Sequence, residues 1–238
     1  MSDTAATSVT TERHESVLVI TLDDGRANAL TRELFAAVTD AVRAAESDPE
    51  VKAVVITGRE GRFSGGFDLG VMRGDDLDAI SNLAADGAML VHTLYSAKVP
   101  VVAACSGHAI AMGAMILLGC DLRIGAEGDF KFGMTEHAIG MSLPDWAVTI
   151  LSERVPRTML QRTLMNAEVY GPEGAVSAGF LDVVVPADRV LAEAIETAQQ
   201  LGDQIDLRAR ASTLKRLRGP MLATLEEQAT DFRDGGVL

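Results

Sequence analysis

The chain is poor in cysteine and in positive charge, and each scarcity excludes a class of protein. Its 238 residues include two cysteines, Cys105 and Cys120, both in apolar surroundings. Such thiols suit neither a disulfide framework nor a metal cluster and are typical of a reducing compartment, so we expect a cytoplasmic protein. With 21 basic against 34 acidic residues, the net charge is -13. This argues against nucleic acid and anionic membranes as partners, because clustered Lys and Arg bind phosphates.

Several motifs of well-known catalytic sites are also absent. The chain has no P-loop Gly-Lys-Ser/Thr, no His-Glu-x-x-His, no Cys-x-x-Cys and no Gly-x-Ser-x-Gly. We therefore expect neither a metal site nor nucleotide hydrolysis. The polar segment 1–15 lacks the apolar stretch of a signal peptide and is predicted to be a flexible arm. The uncharged stretch 99–120 is interrupted by Pro100, Gly107 and His108, which predicts a buried strand and helix and no membrane span.

Hydrophobic periodicity divides the chain into an alternating first part and a helical second part. Apolar runs predict strands, and the segments between them keep helical spacing. The strands are predicted at 16–22, 51–57 and 99–105, and the helices at 31–45 and 77–96. After Pro144 helical periods dominate. The pattern predicts an α/β core over 16–185 and a C-terminal helical region over 186–238.

Three features suggest a site for carbonyl chemistry. Paired glycines in the loop Gly61–Leu69 expose backbone N–H groups that suit an oxyanion, although such a loop is more often an ordinary turn. An apolar helix begins at Met112, whose N–H lacks an intrahelical partner, although the small residues there also suit a crowded crossing. Glu136 lies among apolar and small residues, where desolvation would move its pKa towards that of a general base. Taken alone, it also suits a surface position.

Together these features resemble the crotonase superfamily, the enoyl-CoA hydratases and isomerases. Phe63–Leu69, Gly107–Gly113 and Glu136 occur in the order and spacing of that family, and the likeness extends over about residues 15–200. The resemblance implies an α/β fold, a crotonase-like spiral of ββα units with a C-terminal helical trimerisation region. It also implies a homotrimer or hexamer that binds an acyl-CoA substrate.

The resemblance also implies roles for single residues. Gly65 and Met112 match the residues whose N–H groups hold the thioester oxygen, and Glu136 matches a catalytic glutamate. The residues expected to cradle the coenzyme A thioester are Arg26, Ala27, Ser64, Gly65, Gly66, Phe67, Asp68, Leu69 and Met112. Arg26 is a candidate by position alone, and Asp68 also suits a helix cap. No permanent cofactor is implied, since coenzyme A enters as part of the substrate.

One position departs from the pattern of the family's hydratases. Those enzymes carry two glutamates that handle one water, and the position of the first is occupied here by Met115. Because a thioether cannot take a proton, the chain looks like members that work with a single base. The segment Leu143–Trp146 is also similar to the Pro-x-Trp of monofunctional isomerases, although it equally suits a helix start with a core tryptophan. We therefore predict Δ3-Δ2-enoyl-CoA isomerisation with Glu136 as the proton shuttle.

Three other functions compete with this prediction. The chain could be a 2-enoyl-CoA hydratase if Asp145 supplied the second carboxylate. It could be a non-catalytic acyl-CoA binder, because Phe67, Met112 and Met115 would hold a thioester whether or not a base works. A Clp-type serine peptidase has a related fold, but the position of its nucleophile is Ala111, which lacks a hydroxyl.

Overall fold

The computed structural model describes residues 8–235, which form short alternating strands and longer helices. The strands are β1 (Val9–His14), β2 (Val17–Leu22), β3 (Ala29–Leu30), β4 (Ala53–Gly58), β5 (Gly61–Ser64), β6 (Gly66–Phe67), β7 (Val101–Cys105), β8 (Gly107–Ile110), β9 (Leu122–Ala126), β10 (Phe132–Gly133) and β11 (Val183–Val185). The α-helices are α1 (Arg32–Ser47), α2 (Leu69–Met72), α3 (Leu77–Ser96), α4 (Met112–Gly119), α5 (Asp145–Arg154), α6 (Pro172–Ser177), α7 (Val190–Gln204) and α8 (Leu207–Gly235). The helix predicted at 77–96 has the bounds of α3.

The strands form one large sheet and two small ones. The large sheet has the order β1-β2-β4-β7-β9-β11, with β1 antiparallel to β2 and all other neighbours parallel. The small sheets have the orders β10-β8-β5 and β3-β6. Along the chain, a strand of the large sheet is followed by a strand of a small sheet and then by a helix, as in β2-β3-α1 and β7-β8-α4. This confirms the predicted α/β spiral of ββα units.

The centre of the large sheet is buried on both faces. Every residue of β4 and β7 is buried, as expected of parallel strands that helices cover on both sides. Successive side chains of a strand point to opposite faces. Accordingly, Ala53 and Val55 join a cluster with residues of α7, whereas Val54 and Ile56 join the main core with residues of α1, α3 and α4. The main core lies on the side of the sheet where α4 begins.

Strand β1 corrects part of the prediction of a flexible arm over 1–15. Val9–His14 pairs antiparallel with Val17–Leu22 along its whole length. Most of its side chains are exposed, so its sequence carries no alternation of apolar and polar residues. Backbone hydrogen bonds hold this edge strand, and the sequence pattern could not reveal it. Residues 1–7 of the predicted arm lie outside the described residues.

The C-terminal part is helical, as predicted, and folds back onto the core. Helix α8 packs on α3 and α5 and buries Leu222 against them. Asp121, which precedes β9, accepts hydrogen bonds from Arg210 Nη2 at 2.7 Å and from Arg218 Nη2 at 2.9 Å. These two ion pairs anchor α8 to the sheet. The boundary at residue 186 and a role in trimerisation stay predictions.

Among residues 8–235, no helix combines the length and the apolar character that crossing a bilayer requires. The uncharged stretch 99–120 forms β7, β8 and the fully buried helix α4. The predicted buried strand and apolar helix are therefore confirmed.

Candidate active site

A cavity of about 120 Å³ lies beside the start of α4 and is closed on one side by the segment that leads into α5. Its wall is mostly apolar, and five of the chain's ten methionines belong to it. These are Met72, Met112, Met115, Met134 and Met141. The side chains in the wall that carry oxygen or nitrogen are those of Thr135, Glu136, Ser142 and Trp146, and Glu136 is the ionisable one among them. The wall therefore suits an apolar group next to a single carboxyl.

Asn28 fixes the loops on one side of the cavity. It is fully buried and has a φ of 51°, a left-handed conformation that asparagine tolerates better than most residues. Its Nδ2 donates to Leu22 O at 2.8 Å and to Phe63 O at 3.1 Å, while its Oδ1 accepts from Asp24 N at 3.0 Å. Ser64 Oγ in turn donates to Asn28 O at 2.8 Å. This network joins the loop after β2 to the glycine loop after β5.

The structure contradicts the predicted role of Gly65 as an oxyanion donor. Gly65 N–H donates to Ala27 O at 2.9 Å, so it is already paired. The next amide, Gly66 N–H, donates to Ser64 Oγ at 3.1 Å. The prediction for Gly65 is therefore wrong, because the paired glycines turn both N–H groups back into the protein. Gly65 still lies in the cavity wall.

The backbone N–H of Phe67 is a further candidate donor, since the N–H of Gly65 is already paired. Asp68 N–H donates to Leu30 O of β3 at 3.1 Å. Since the amides of an extended strand point alternately to opposite sides, Phe67 N–H points away from β3. The start of α4 lies near this strand, because a β-carbon built on Gly66 would be 3.6 Å from Met112 N. Sequence reasoning placed Phe67 near the thioester but did not consider its backbone N–H.

Met112 lies where the sequence predicted an orphan amide. It is the first residue of α4, and Ala111 before it has a φ of 52° and provides no side-chain cap. Among the described residues, Met112 N–H has no acceptor, and it carries the positive end of the helix dipole. Gly113 makes this position accessible, because a β-carbon there would lie 2.5 Å from Ser64 O. The start of α4 and the glycine loop thus approach each other closely only with glycine at 113.

Glu136 lies in the cavity wall just before the short 3₁₀ turn His137–Ile139. Its Oε2 is buried and has no hydrogen-bond partner in the described part of the chain. Burial raises the pKa of Glu136, and the backbone N–H groups of Glu136 and Thr135 and the nearby His137 only partly oppose this effect. Desolvation disfavours the charged carboxylate. The structure therefore places a carboxyl of raised basicity against an apolar cavity.

The second carboxylate that a hydratase would need does not lie in this wall. Met115 does lie there, at the position where the family's hydratases carry their first glutamate. Asp145 is exposed at the first turn of α5 and borders a different depression, beside Gln228 and Asp231 of α8.

The structure brings some of the predicted thioester-binding residues into the cavity wall and leaves others outside it. Those in the wall are Gly65, Phe67, Leu69 and Met112, and those outside it are Arg26, Ala27, Ser64, Gly66 and Asp68. Asp68 caps α2, as predicted, because its Oδ1 accepts the N–H of Gly70 at 2.6 Å. Arg26 is exposed, and its carbonyl accepts from Arg59 Nη1 at 3.0 Å.

Sequence reasoning missed most of the methionine lining and the support that Asn28 gives. Met72, Met134 and Met141 come from three separate segments, so no sequence pattern joins them. Asn28 did carry a signal, since a polar residue between Ala27 and Ala29 just after a strand suits a left-handed turn position.

Comparison with known proteins decides the family. The model of the enoyl-CoA hydratase/isomerase family matches residues 12–231. The chain belongs to the enoyl-CoA hydratase/isomerase family. A solved structure of a member from Pseudomonas syringae is 35% identical, with a TM-score of 0.91 over 97% of this chain and 98% of that chain. The crotonase-like fold and the assignment as an enzyme of this family are thereby confirmed.

Relatives with both activities resemble this family member. A solved structure from Mycobacterium tuberculosis is 34% identical, with a TM-score of 0.89 over 95% of this chain and 98% of that chain. That protein is described as an enoyl-CoA isomerase in this structure and as a probable enoyl-CoA hydratase in another. A crotonyl-CoA hydratase of Syntrophomonas wolfei is 28% identical over 207 residues, which are 84% of this chain and 78% of the relative. Family membership alone thus leaves isomerisation and hydration as the two reactions to compare.

Proposed function

We propose that the protein is a Δ3-Δ2-enoyl-CoA isomerase that uses Glu136 as its acid–base group. The observation that carries this proposal is that Glu136 provides the one ionisable side chain among the described residues of the cavity wall. Isomerisation needs a single group that takes a proton from one carbon and returns it to another. Hydration needs a second group to handle the water, and neither Met115 nor the exposed Asp145 supplies it.

Two backbone amides polarise the thioester in this proposal. Phe67 N–H and Met112 N–H hold the carbonyl oxygen of the substrate between the glycine loop and the start of α4. As negative charge moves onto that oxygen, the protons on C2 become more acidic and the donors bind the enolate more tightly than the substrate. Fixed donors need little reorganisation during the reaction, and the Asn28 network holds the loop that carries Phe67.

Glu136 then moves one proton within the substrate. Its carboxylate takes a proton from C2 of the 3-enoyl thioester, and the electron pair of that C–H bond forms the dienolate. When the carbonyl re-forms, the double bond shifts to C2–C3, and C4 takes the proton back from the Glu136 carboxyl. No atom is gained or lost. The raised pKa of Glu136 serves both steps, since an efficient acid–base group has a pKa near the working pH.

Coenzyme A is part of the substrate in this mechanism, and the enzyme needs no permanent cofactor. We expect the coenzyme A portion to pass the exposed side of the glycine loop. Leu69, which belongs to the cavity wall and is 56% exposed, and the exposed Ala27 lie on this side. This expectation retains the predicted contacts of Ala27 and Leu69 with the coenzyme A thioester.

The experiment that tests the proposal is incubation with matched 3-enoyl-CoA and 2-enoyl-CoA, followed by product analysis by chromatography and mass. Isomerisation leaves the mass unchanged, whereas hydration adds one water. We expect conversion of 3-enoyl-CoA to 2-enoyl-CoA and no hydrated product. Net hydration at a comparable rate would instead assign the chain to the hydratases, and tight acyl-CoA binding without any conversion would make it a binder.

Replacement of Glu136 by glutamine tests the assignment of the base. We expect Glu136→Gln to lower kcat for isomerisation by about 1000-fold, as loss of general base catalysis does. The matched control is Glu60→Gln, which changes an exposed glutamate on the turn between β4 and β5 and should leave turnover within about twofold of the parent. Near-normal turnover of Glu136→Gln on both substrates would contradict the assignment.

We further propose that the chain assembles as a homotrimer or hexamer. Large apolar side chains on the second half of the protein are exposed, with Met165 at 62%, Leu191 at 41% and Leu217 at 73%. Apolar groups on a surface are often covered in an assembly. Light scattering coupled to size-exclusion chromatography gives the mass directly, and a monomer at working concentration would contradict this proposal.

A further inference from the structure

Two buried polar atoms of the cavity wall are left without a hydrogen-bond partner. Among residues 8–235, the buried side-chain atoms that lack a partner are Glu136 Oε2 and Trp146 Nε1. Both residues belong to the wall of the same cavity. An indole N–H can only donate a hydrogen bond, and an ionised carboxylate can only accept one. Because each buried unpaired group is unfavourable, a complementary donor and acceptor in one wall indicate a bond that forms when the site works.

We propose that Trp146 is a positioning residue for Glu136, whose carboxylate accepts a hydrogen bond from the Trp146 indole N–H, directly or through one water. This proposal rests on the proposed function, in which Glu136 is the base. One carboxylate oxygen would then be held by the indole, and the other would face the substrate. The bond orients the base and stabilises its charged form.

The local structure gives the donor a fixed position and the acceptor some freedom. Trp146 is the second residue of α5, follows the N-cap Pro144, and is 2% exposed in the main core. Glu136 precedes a single 3₁₀ turn that ends at Gly140, which has a φ of 78°. The two residues are ten positions apart, with Glu136 in the connection between β10 and α5 and Trp146 at the start of α5. A side-chain rotation of Glu136 can therefore adjust the bond while core packing holds the indole.

Few other charges act on this carboxyl. His137 is the neighbouring charged group that affects the pKa of Glu136, besides burial and the backbone N–H groups of Glu136 and Thr135. The described cavity wall contributes no further ionisable side chain. A change in the titration of Glu136 on loss of the indole N–H can therefore be separated from an effect of His137 by a single variant.

The chain has one tryptophan, so its indole fluorescence reports on Trp146 alone. We expect the emission of the parent to change with pH in one transition, because the indole gains a charged partner as Glu136 ionises. The transition should be lost in Glu136→Gln and kept in His137→Gln. A transition that persists in Glu136→Gln, or the absence of any transition in the parent, would overturn the proposal.

Kinetics of a near-isosteric variant give the second test. Replacing Trp146 by β-(benzothiophen-3-yl)alanine keeps the shape of the ring and removes only the N–H. This variant retains the packing of the core, whereas Trp146→Phe would leave a cavity. We expect the acid limb of kcat/KM to move up by about one pH unit and kcat to fall about tenfold, with KM nearly unchanged. The matched control on α5 is Val148→Ala, at a side chain that is 39% exposed. This variant should change neither the acid limb of kcat/KM nor kcat.

The outcomes separate this inference from the proposed function. An unmoved acid limb in the isosteric variant, with Glu136→Gln inactive, would overturn the role of Trp146 and leave Glu136 as the base. Full turnover by Glu136→Gln would refute the assignment of Glu136 as the base. The hydrogen bond from Trp146 would then have no role in catalysis, whatever the fluorescence shows. A moved limb together with a transition that depends on Glu136 would support both.

Discussion

The two sides of the cavity differ in how completely their polar groups are paired. On the side of the glycine loop, Asn28 and Ser64 hold their neighbours through short hydrogen bonds. On the side that leads into α5, Glu136 Oε2 and Trp146 Nε1 are buried without partners in the described part of the chain. The difference teaches that a network of hydrogen bonds fixes the backbone of the glycine loop, whereas the raised pKa of Glu136 depends on burial with few compensating hydrogen bonds.

After Glu136→Gln, the largest expected loss of turnover comes from separating the two proposed oxyanion donors, Phe67 N–H and Met112 N–H. Gly113→Ala places a β-carbon where Ser64 O lies 2.5 Å away, so α4 must move away from the glycine loop. A displacement of about 1 Å can lower kcat by about 100-fold. Turnover of 3-enoyl-CoA measures the loss, and Gly219→Ala is the control, because its β-carbon meets nothing within 4 Å. Unchanged kcat in Gly113→Ala would show that the close approach is irrelevant to catalysis.

On the side of the glycine loop, the hydrogen bonds of Asn28 should contribute to the stability of the fold. Asn28→Ala leaves the buried carbonyls of Leu22 and Phe63 without their donor, and alanine suits the positive φ less well. We expect the free energy of unfolding to fall by about 3 kcal/mol, measured by urea denaturation. The control is Asn82→Ala on α3, whose Nδ2 makes only an exposed bond to Asp78 O and whose loss should cost about 0.5 kcal/mol or less. Equal losses would remove the contrast between the two sides.

On the side of the cavity that leads into α5, the ionisation of Glu136 should lower the stability of the fold, so stability should depend on pH. Because burial raises the pKa of Glu136 in the folded state above its ordinary value of 4.5, the folded state binds more protons than the unfolded state between these two values. Stability from this group is therefore present at low pH and is lost as pH rises through the folded pKa. We expect Glu136→Gln to melt at a higher temperature than the parent at pH 8 and at the same temperature below pH of about 4. A lower melting temperature at pH 8 would mean that the carboxylate is well paired.

The smallest effect is expected at Asp145. Its exposed carboxylate lies outside the cavity wall, so Asp145→Asn should change kcat for isomerisation by about twofold or less. Steady-state kinetics of this variant and of Glu136→Gln compare the exposed carboxylate at the start of α5 with the carboxyl that lies in the cavity wall. A loss as large as that of Glu136→Gln would place Asp145 in the reaction and revive the hydratase.

Sequence patterns predicted the strands and helices that bury an apolar face, and they failed where backbone bonding alone forms an element. Helix α3 has its predicted bounds and Thr31 caps α1 as predicted, with Leu34 N–H donating to its Oγ at 3.3 Å. Strand β1 was missed because its side chains are mostly exposed. The family likeness placed Met112 and Glu136, and both lie in the cavity wall.

The direction of a backbone amide was the property that sequence could not supply. Gly65 was predicted as a donor from its place in the motif, but its N–H pairs with Ala27 O, 38 positions earlier in the chain. Gly66, with a φ of 98°, lies between this amide and that of Phe67, and a β-carbon built on it would be 3.6 Å from Met112 N of α4. The direction of each backbone N–H depends on hydrogen-bond partners distant in sequence and on dihedral angles, for which glycine allows a wide range.

The sequence by itself determined the family, the α/β spiral, and the presence of Glu136 with Met115 at the position of the other glutamate. These features follow from residue types at fixed spacing. Only the tertiary structure decided that the Gly65 amide is already paired, that Asp145 is exposed and lies outside the cavity wall, and that the Trp146 indole N–H is buried without a partner among the described residues, in the same wall as Glu136. The physical reason is that pairing and burial are set by contacts between segments that are far apart in the chain.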